Sequence, residues 1–321
     1  MPEVALAVDL GGTAIKAGLV DGQGAFLRQI ESATGDDLSV DAVVRNLVAV
    51  MHGLKNHADK ENLTIVGAGV GVPGGLDRDR RVVTQSPNFP GWYDVPLKEK
   101  LEEYLPFPFH LENDANLAAL GESWIGAGRG VETLALFTLG TGVGGGLVVE
   151  GRVWTGAYGM AGELGHITVN ADGPLCGCGN HGCLEAYAQK AAIVRNACAL
   201  MHRGLAPGIE KRSEGRDDRV TPEMVFEAAR EGCEGALEIL AGVGRALGIA
   251  SATLTNALNP EMIVIGGGIG GAYDFIAPSL REELRRRAFR VPAEAVRLRR
   301  AELGNKAGMA GAARLVFQKA G

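Results

Sequence analysis

Cys176, Cys178 and Cys183 place three thiols within eight residues of a glycine-rich loop, and His166 stands ten residues upstream in an acid-x-Gly-His context. Three thiolates and one imidazole make a closed tetrahedral Zn2+ site. The alternatives fit less well: pairing as disulfides would strand an odd thiol, and free thiols this dense would be open to oxidation. His181, inside the loop, competes for the fourth position. His166 is preferred because a ligand from outside the loop ties it to the protein body.

A second chemistry is written in glycine. Three apolar runs end in glycine-rich loops: Asp9-Leu10-Gly11-Gly12-Thr13, Thr138-Leu139-Gly140-Thr141-Gly142 and Gly266 to Gly271. Glycine lets backbone N–H groups approach an anion with no side chain in the way, so such loops suit phosphate. Three in one chain point to a nucleotide. Two of them satisfy G-x-G-x-x-G, yet the acidic ribose ligand expected about 20 residues later is missing, which argues against a dinucleotide enzyme. No G-x-x-x-x-G-K-[ST] is present, so this is not a P-loop enzyme.

Two carboxylates complete the set. Asp9, at the tip of the first apolar run, is placed to hold Mg2+ through water beside a phosphate loop. Asp114, in Glu112-Asn113-Asp114-Ala115-Asn116, stands where a helix begins, and its plainer reading is a helix N-cap. A helix N-terminus stabilises the anion and weakens it as a base. Phosphoryl transfer tolerates this, because the attacking hydroxyl needs orientation more than early deprotonation. Glu163, His166 and Glu185 flank the cysteine loop with groups of the kind that bind vicinal hydroxyls, so a sugar is the natural partner.

These residues need a scaffold that presents strand ends. Residues 4–32 read as three antiparallel strands, with a turn at Asp21-Gly22. Helical periodicity covers 38–58, and a strand follows at 64–71. Proline and glycine make 71–97 a loop-rich segment. Residues 5–22 overlie 134–151 at a constant offset, which implies two related strand–loop–strand hairpins and hence two related α/β lobes. Further on, 204–220 reads as a solvated polar connection, helices are expected at 222–231 and 235–257, and a third apolar strand begins at 262. Another helix should run through the 280s, with a strand near 296–302 and a closing helix over 305–319. Eight arginines between Arg281 and Arg300 read as a solvated face. Cys198 and Cys233 are expected in helices as buried, unreactive thiols.

The 321 residues include 48 glycines and are 46% hydrophobic, a balance for a folded chain with a real core and neither collagen-like nor disordered. A net charge of −6 gives no global field towards nucleic acid or an anionic membrane. No leader-like or spanning stretch is read in the sequence, so a cytoplasmic protein is expected.

The ensemble DLGGTAIKAG, GVPGG, NFPGW, ENDAN, TLGTGVGGG, GELGH, CGCGNHGCLE, IGGGI and GNKAGMAGAA resembles the ROK family of sugar kinases and repressors, most of all its bacterial ATP-dependent glucokinases, over essentially the whole chain. The resemblance implies an actin/hexokinase-like ATPase fold with a cleft between the two lobes. It also implies a small α/β domain over 1–117, with a C-terminal helix at about 304–321 packing back, and a large α/β domain over 118–303. Asp114 would then be the general base on a sugar 6-hydroxyl, with Gly75, Asn88, Asn113, Glu163, His166 and Glu185 binding the sugar. Gly11, Gly12, Thr13 and Lys16 with Thr138, Gly140, Thr141 and Gly142 would hold the ATP phosphates, and Gly267, Gly268 and Ile269 would lie near the adenosine. His166 would ligate zinc through one ring nitrogen and face the sugar with the other.

The resemblance thus implies ATP with Mg2+, one structural Zn2+ and a homodimer or dimer of dimers. Because the first phosphate loop starts at Asp9, the helix-turn-helix usual in the family's repressors is not expected here. Glucose is the expected acceptor. Mannose, fructose, N-acetylglucosamine and N-acetylmannosamine are the rival substrates, polyphosphate the rival donor, and a sugar-responsive regulator without catalysis the rival role.

Overall fold

The computed structural model describes residues 1–320. The chain opens with β1 (Glu3–Leu10), β2 (Ala14–Asp21) and β3 (Phe26–Ala33), followed by α1 (Val40–Lys60), β4 (Thr64–Val72), three short strands β5 (Gly75–Leu76), β6 (Val83–Gln85) and β7 (Tyr93–Val95), α2 (Leu97–Glu102), β8 (Phe109–Asn113) and α3 (Asp114–Ile125). It continues through β9 (Leu134–Leu139), β10 (Val143–Val149), β11 (Arg152–Val153), α4 (Glu185–Ala188), α5 (Lys190–Met201), α6 (Pro207–Ser213), α7 (Pro222–Arg230) and α8 (Glu234–Leu258). The last elements are β12 (Met262–Gly266), α9 (Tyr273–Arg287), α10 (Arg290–Ala295), β13 (Arg297–Arg300) and α11 (Ala307–Ala320).

The strands form two five-stranded sheets, ordered β3-β2-β1-β4-β8 and β11-β10-β9-β12-β13, and a small sheet β5-β6-β7. The antiparallel start is as expected, with Asp9 opposite Lys16 in the β1–β2 pair. The two hairpins expected from the repeat both form and lie in different five-stranded sheets. Backbone contacts group the chain into one unit of Met1–Leu134, Gly146–Gly162 and Glu302–Gly321, and a second of Ala135–Gly145 and Glu163–Ala301.

In the first unit, alternation along β1 divides the packing. Val4, Leu6, Val8 and Leu10 join one core with Val43, Leu47, Met51 and Leu54 of α1. Ala5 and Ala7, on the opposite face, join Leu117 and Leu120 of α3 with Met309, Ala312 and Val316 of α11. That second face carries small residues because backbones meet there: a Cβ on Gly311 would enter the Leu117 carbonyl, and one on Gly69 the Ala312 carbonyl. Each large aliphatic side chain buried in this way contributes about 1.5–3 kcal/mol.

In the second unit α8 is long and apolar enough to cross a membrane by composition, but it is a core helix, with Ile239, Leu240, Val243, Leu247 and Leu254 buried. All eight arginines between Arg281 and Arg300 are exposed, as expected of a solvated face. Residues 204–220 are not the solvated connection expected. They contain α6 and a 3-10 turn, because Ile209 and Ser213 are buried and Arg212 pairs with Glu227 and Glu231 of the α7 region. Cys233 also departs from expectation: it is the N-cap residue of α8 and, like Cys198, is half-buried.

Candidate functional site

In the first unit β1, β4 and β8 run parallel, so their carboxyl ends share one edge of the sheet. That edge carries the Asp9 loop after β1, Gly74-Gly75 after β4, and Asn113-Asp114 after β8. Ligands of open α/β sheets bind outside the carboxyl ends of strands.

The Asp9 loop is braced by its own backbone. Gly11 N–H donates to the Ala14 carbonyl at 2.9 Å, and the buried Thr34 hydroxyl donates to the Gly11 carbonyl at 2.7 Å. A Cβ on Gly12 would lie 3.3 Å from Asn88 Cβ, so Asn88 stands beside this loop. Burial raises the Asp9 carboxyl above its usual range, opposed by the charge of Lys16. The Asp9 carboxylate also fits against Gly308 of α11, where a Cβ would come within 2.9 Å of the carboxyl carbon.

Asp114 is the first residue of α3 and not its N-cap. Asn113 caps the helix, its Oδ1 accepting the N–H groups of Ala115 at 2.9 Å and Asn116 at 3.1 Å, while its Nδ2 donates to the Gly74 carbonyl at 3.1 Å. A capping Asn is expected to contribute about 1 kcal/mol. Asp114 Oδ1 accepts from Ala115 N–H at 2.8 Å, and the carboxylate sits half-buried in the first turn, where the helix dipole favours the anion.

In the second unit the loop Thr138–Gly142 closes on itself through Gly140 N–H donating to the Gly142 carbonyl at 2.9 Å, and the Gly140 carbonyl accepts from Lys190 N–H at 2.9 Å. Gly267, at φ +80°, backs onto the Leu139 backbone, leaving no room for a Cβ and setting the Gly267-Gly268-Ile269 turn beside that loop. Ile269 is fully buried, while Gly267 and Gly268 are exposed.

The ligand-bearing loop lies in the same unit. The ligand atoms of His166, Cys176, Cys178 and Cys183 all lie within 4.8 Å of one another. Cys178 Sγ is 3.7 Å from Cys183 Sγ, and Cys176 Sγ is 3.7 Å from His166 Nδ1. A tetrahedral ion with Zn–S bonds of about 2.3 Å requires sulfur–sulfur edges of about 3.8 Å, so donor chemistry and spacing both fit zinc. Burial pushes the Cys176 thiol up to about 12 and raises Cys183, whereas the Asn180 backbone N–H lowers Cys178. His181 stands outside the cluster, with Nδ1 3.0 Å from the Gly173 carbonyl. Gly182, at φ +69°, is indispensable to the loop: a Cβ there would coincide with the Asn170 carbonyl oxygen.

Glu185 links these two features. Its Oε2 accepts from Val143 N–H at 3.0 Å, and its Oε1 lies 3.5 Å from Cys176 Sγ. Glu163 is exposed and precedes the 3-10 turn Leu164–His166, which presents His166 with Nδ1 towards the thiols and so leaves Nε2 as the other ring donor or acceptor.

Two buried carboxylates went unrecognised in the sequence. Glu112, 4% exposed, accepts from Asn113 N–H at 2.9 Å and from the Asn116 side chain at 3.0 Å, and pairs with Arg80. Glu122, fully buried, accepts the N–H groups of Ala127, Glu302 and Leu303 at 2.8–3.1 Å and so ties α3 to the start of the C-terminal segment. Alternation along β8 gives no signal for Glu112, since it buries Phe109 and Leu111 and turns Glu112 to the other face.

Residues 5–319 match the ROK family model. The chain is 39% identical to a glucokinase of Thermotoga maritima, over 88% of each chain. It superposes on a ROK family glucokinase from Streptomyces griseus, solved with glucose and AMPPNP, with a TM-score of 0.79 at 35% identity, covering 98% of this chain and 99% of that one. A xylose repressor of Caldicellulosiruptor bescii is 34% identical over 70% of this chain and 56% of its own length. The expected α/β, actin-like ATPase fold is the fold of these neighbours.

Proposed function

The chain belongs to the ROK family, and from that premise we propose that it is a sugar kinase transferring the γ-phosphoryl group of ATP to the 6-hydroxyl of glucose, giving ADP and glucose 6-phosphate. The observation that carries this reading is Asp114, a carboxylate set at the head of α3 on the same sheet edge as the Asp9 glycine loop. A base for an alcohol and a cradle for phosphate are the two parts that phosphoryl transfer to a sugar needs.

In this reading Asp114 accepts the proton of the attacking hydroxyl and orients its oxygen towards phosphorus. Asn113, Gly75, Asn88, Glu163, His166 and Glu185 bind the sugar, with Asn113 acting chiefly as the cap that aims Asp114. The backbone of Gly11, Gly12, Thr13 and of Gly140, Thr141, Gly142, with the side chains of Lys16 and Thr138, holds the phosphates, and Gly267, Gly268 and Ile269 face the adenosine. Mg2+ held near Asp9 would neutralise phosphate charge, and Zn2+ held by His166, Cys176, Cys178 and Cys183 would keep the sugar loop folded. Consumption of ATP and a free sugar suits a cytoplasmic protein.

Similarity to a xylose repressor supports a second reading, a sugar-responsive regulator. A coupled ADP-release assay over glucose, mannose, fructose, N-acetylglucosamine and N-acetylmannosamine, with ATP or polyphosphate as donor, tests both. Highest kcat/KM with glucose and ATP is expected. Absence of turnover with every pair, in protein that still binds sugar, would favour the regulator.

A further inference from the structure

Arg80 lies in the turn between β5 and β6, where side chains ordinarily point to water, as those of Arg78 and Asp79 do. Its backbone holds φ +56°, a left-handed conformation that glycine or asparagine adopts more readily. The turn is held there by Asp77, whose Oδ1 accepts the N–H groups of Arg81 at 2.7 Å and Val82 at 2.8 Å.

From this position the guanidinium turns inward and grips two acceptors. Nε lies 3.1 Å from Oε2 of Glu112, and Nη1 donates to the Gly159 carbonyl at 2.9 Å. Nη2 is buried with no protein partner. The other oxygen of Glu112 is already committed to Asn113 N–H and Asn116, the residues that start α3. Gly159 is buried in a largely exposed stretch in which Trp154 is 45%, Tyr158 84% and Met160 56% exposed. That stretch is closed on itself by Ala161 N–H donating to the Thr155 carbonyl, and it runs in sequence directly into Glu163.

We propose that Arg80 is a positioning residue for sugar phosphorylation: one guanidinium fixes both the head of α3, which bears Asp114, and the 154–162 segment that delivers the chain to Glu163. The proposal rests on the sugar-kinase reading. The two functions of the fork explain why an arginine occupies a backbone position unfavourable to it. A lysine carries the charge but offers no planar pair of donors for a carboxylate and a carbonyl together. Glu112, in turn, needs a cationic partner, because a buried carboxylate left alone is strongly destabilising.

Arg80→Gly removes the side chain and suits the backbone, Arg80→Lys keeps the charge, and Arg80→Gly combined with Glu112→Gln removes the charge pair together should the single variant fold poorly. Hydrogen exchange of residues 154–162 and 113–116, compared with wild type, reads the clamp without reference to catalysis. Faster exchange in both segments is expected in Arg80→Gly and in the double variant. Steady-state kinetics should show the sugar kcat/KM falling about 10- to 100-fold while the ATP KM stays within about twofold, since a misplacement of about 1 Å costs on this order. Arg80→Lys should recover little of the loss. Unchanged exchange in 154–162, or an ATP KM raised as much as the sugar KM, would overturn the proposal. A wild-type protein that phosphorylates no sugar would instead overturn the kinase reading and, with it, the catalytic role of the clamp.

Discussion

Glu185 accepts a hydrogen bond from the Val143 N–H at 3.0 Å, which fastens the end of the Thr138–Gly142 loop to the first residue of α4. The same carboxylate lies 3.5 Å from Cys176 Sγ, so one side chain braces a phosphate-type loop and a metal-type loop together. Hydrogen bonds to a charged group contribute about 1.5–3 kcal/mol. Glu185→Ala is therefore expected to lower kcat/KM by about 10- to 100-fold and to raise the KM for ATP as well as for the sugar. Glu185→Gln, which keeps an acceptor for Val143, should spare the ATP KM. Wild-type kinetics in Glu185→Ala would remove the bracing role.

Asp114→Asn keeps the size and an acceptor for Ala115 N–H but cannot take up the hydroxyl proton. Loss of a general base costs about 10²- to 10⁴-fold in kcat. Thermal denaturation and metal content should match the wild type, because Asn113 carries the cap. Turnover within a few-fold of normal would exclude Asp114 as the base.

Metal analysis should find one zinc per chain, lost in Cys178→Ser or on strong chelation. Structural zinc supplies on the order of 10 kcal/mol or more of local folding energy, so its removal should expose residues 166–185 to protease and abolish sugar binding. Gly182→Ala should do the same with all four ligands intact, because the new Cβ and the Asn170 carbonyl oxygen cannot share one space. A chelated protein with full activity would show that the loop folds without metal.

Asp9 offers a test in pH. Burial raises its folded pKa above the ordinary value of 3.8, so between 3.8 and that folded value the native state binds more protons than the unfolded state. Stability contributed by this group is thus fully present below 3.8 and is lost as pH rises through the folded value. Asp9→Asn should melt at the same temperature as wild type or higher at pH 7, and the difference should shrink as the pH approaches 3.8. The variant should bind ATP with Mg2+ poorly, the usual exchange of stability for function at a buried charge. A lower melting temperature for Asp9→Asn at pH 7 would show that Lys16 outweighs burial.

Local chemistry was legible in the primary structure. Cys176, Cys178 and Cys183 declare a soft-metal site by residue type and spacing alone, and the glycine runs after apolar stretches declare loops suited to anions. The β1–β2 and β9–β10 hairpins were visible as a repeat because alternation and turn residues are short-range patterns. Helix α6 was hidden, since its apolar signal is little more than Ile209 and its hold on α7 comes through Arg212.

What the sequence by itself determined is the kind of chemistry: which residues can ligate zinc, cradle phosphate and accept a proton, because those capacities belong to side chains and to glycine's freedom. Only the tertiary structure decided which of them meet. It chose His166 over His181 by bringing Nδ1 to 3.7 Å from Cys176 Sγ, and it gave the cap to Asn113 and the first helical position to Asp114. It also drew Arg80, Glu112 and Gly159 into one contact. Pairings of that kind arise from the packing of segments far apart in the chain, and no periodicity or spacing within any one segment records them.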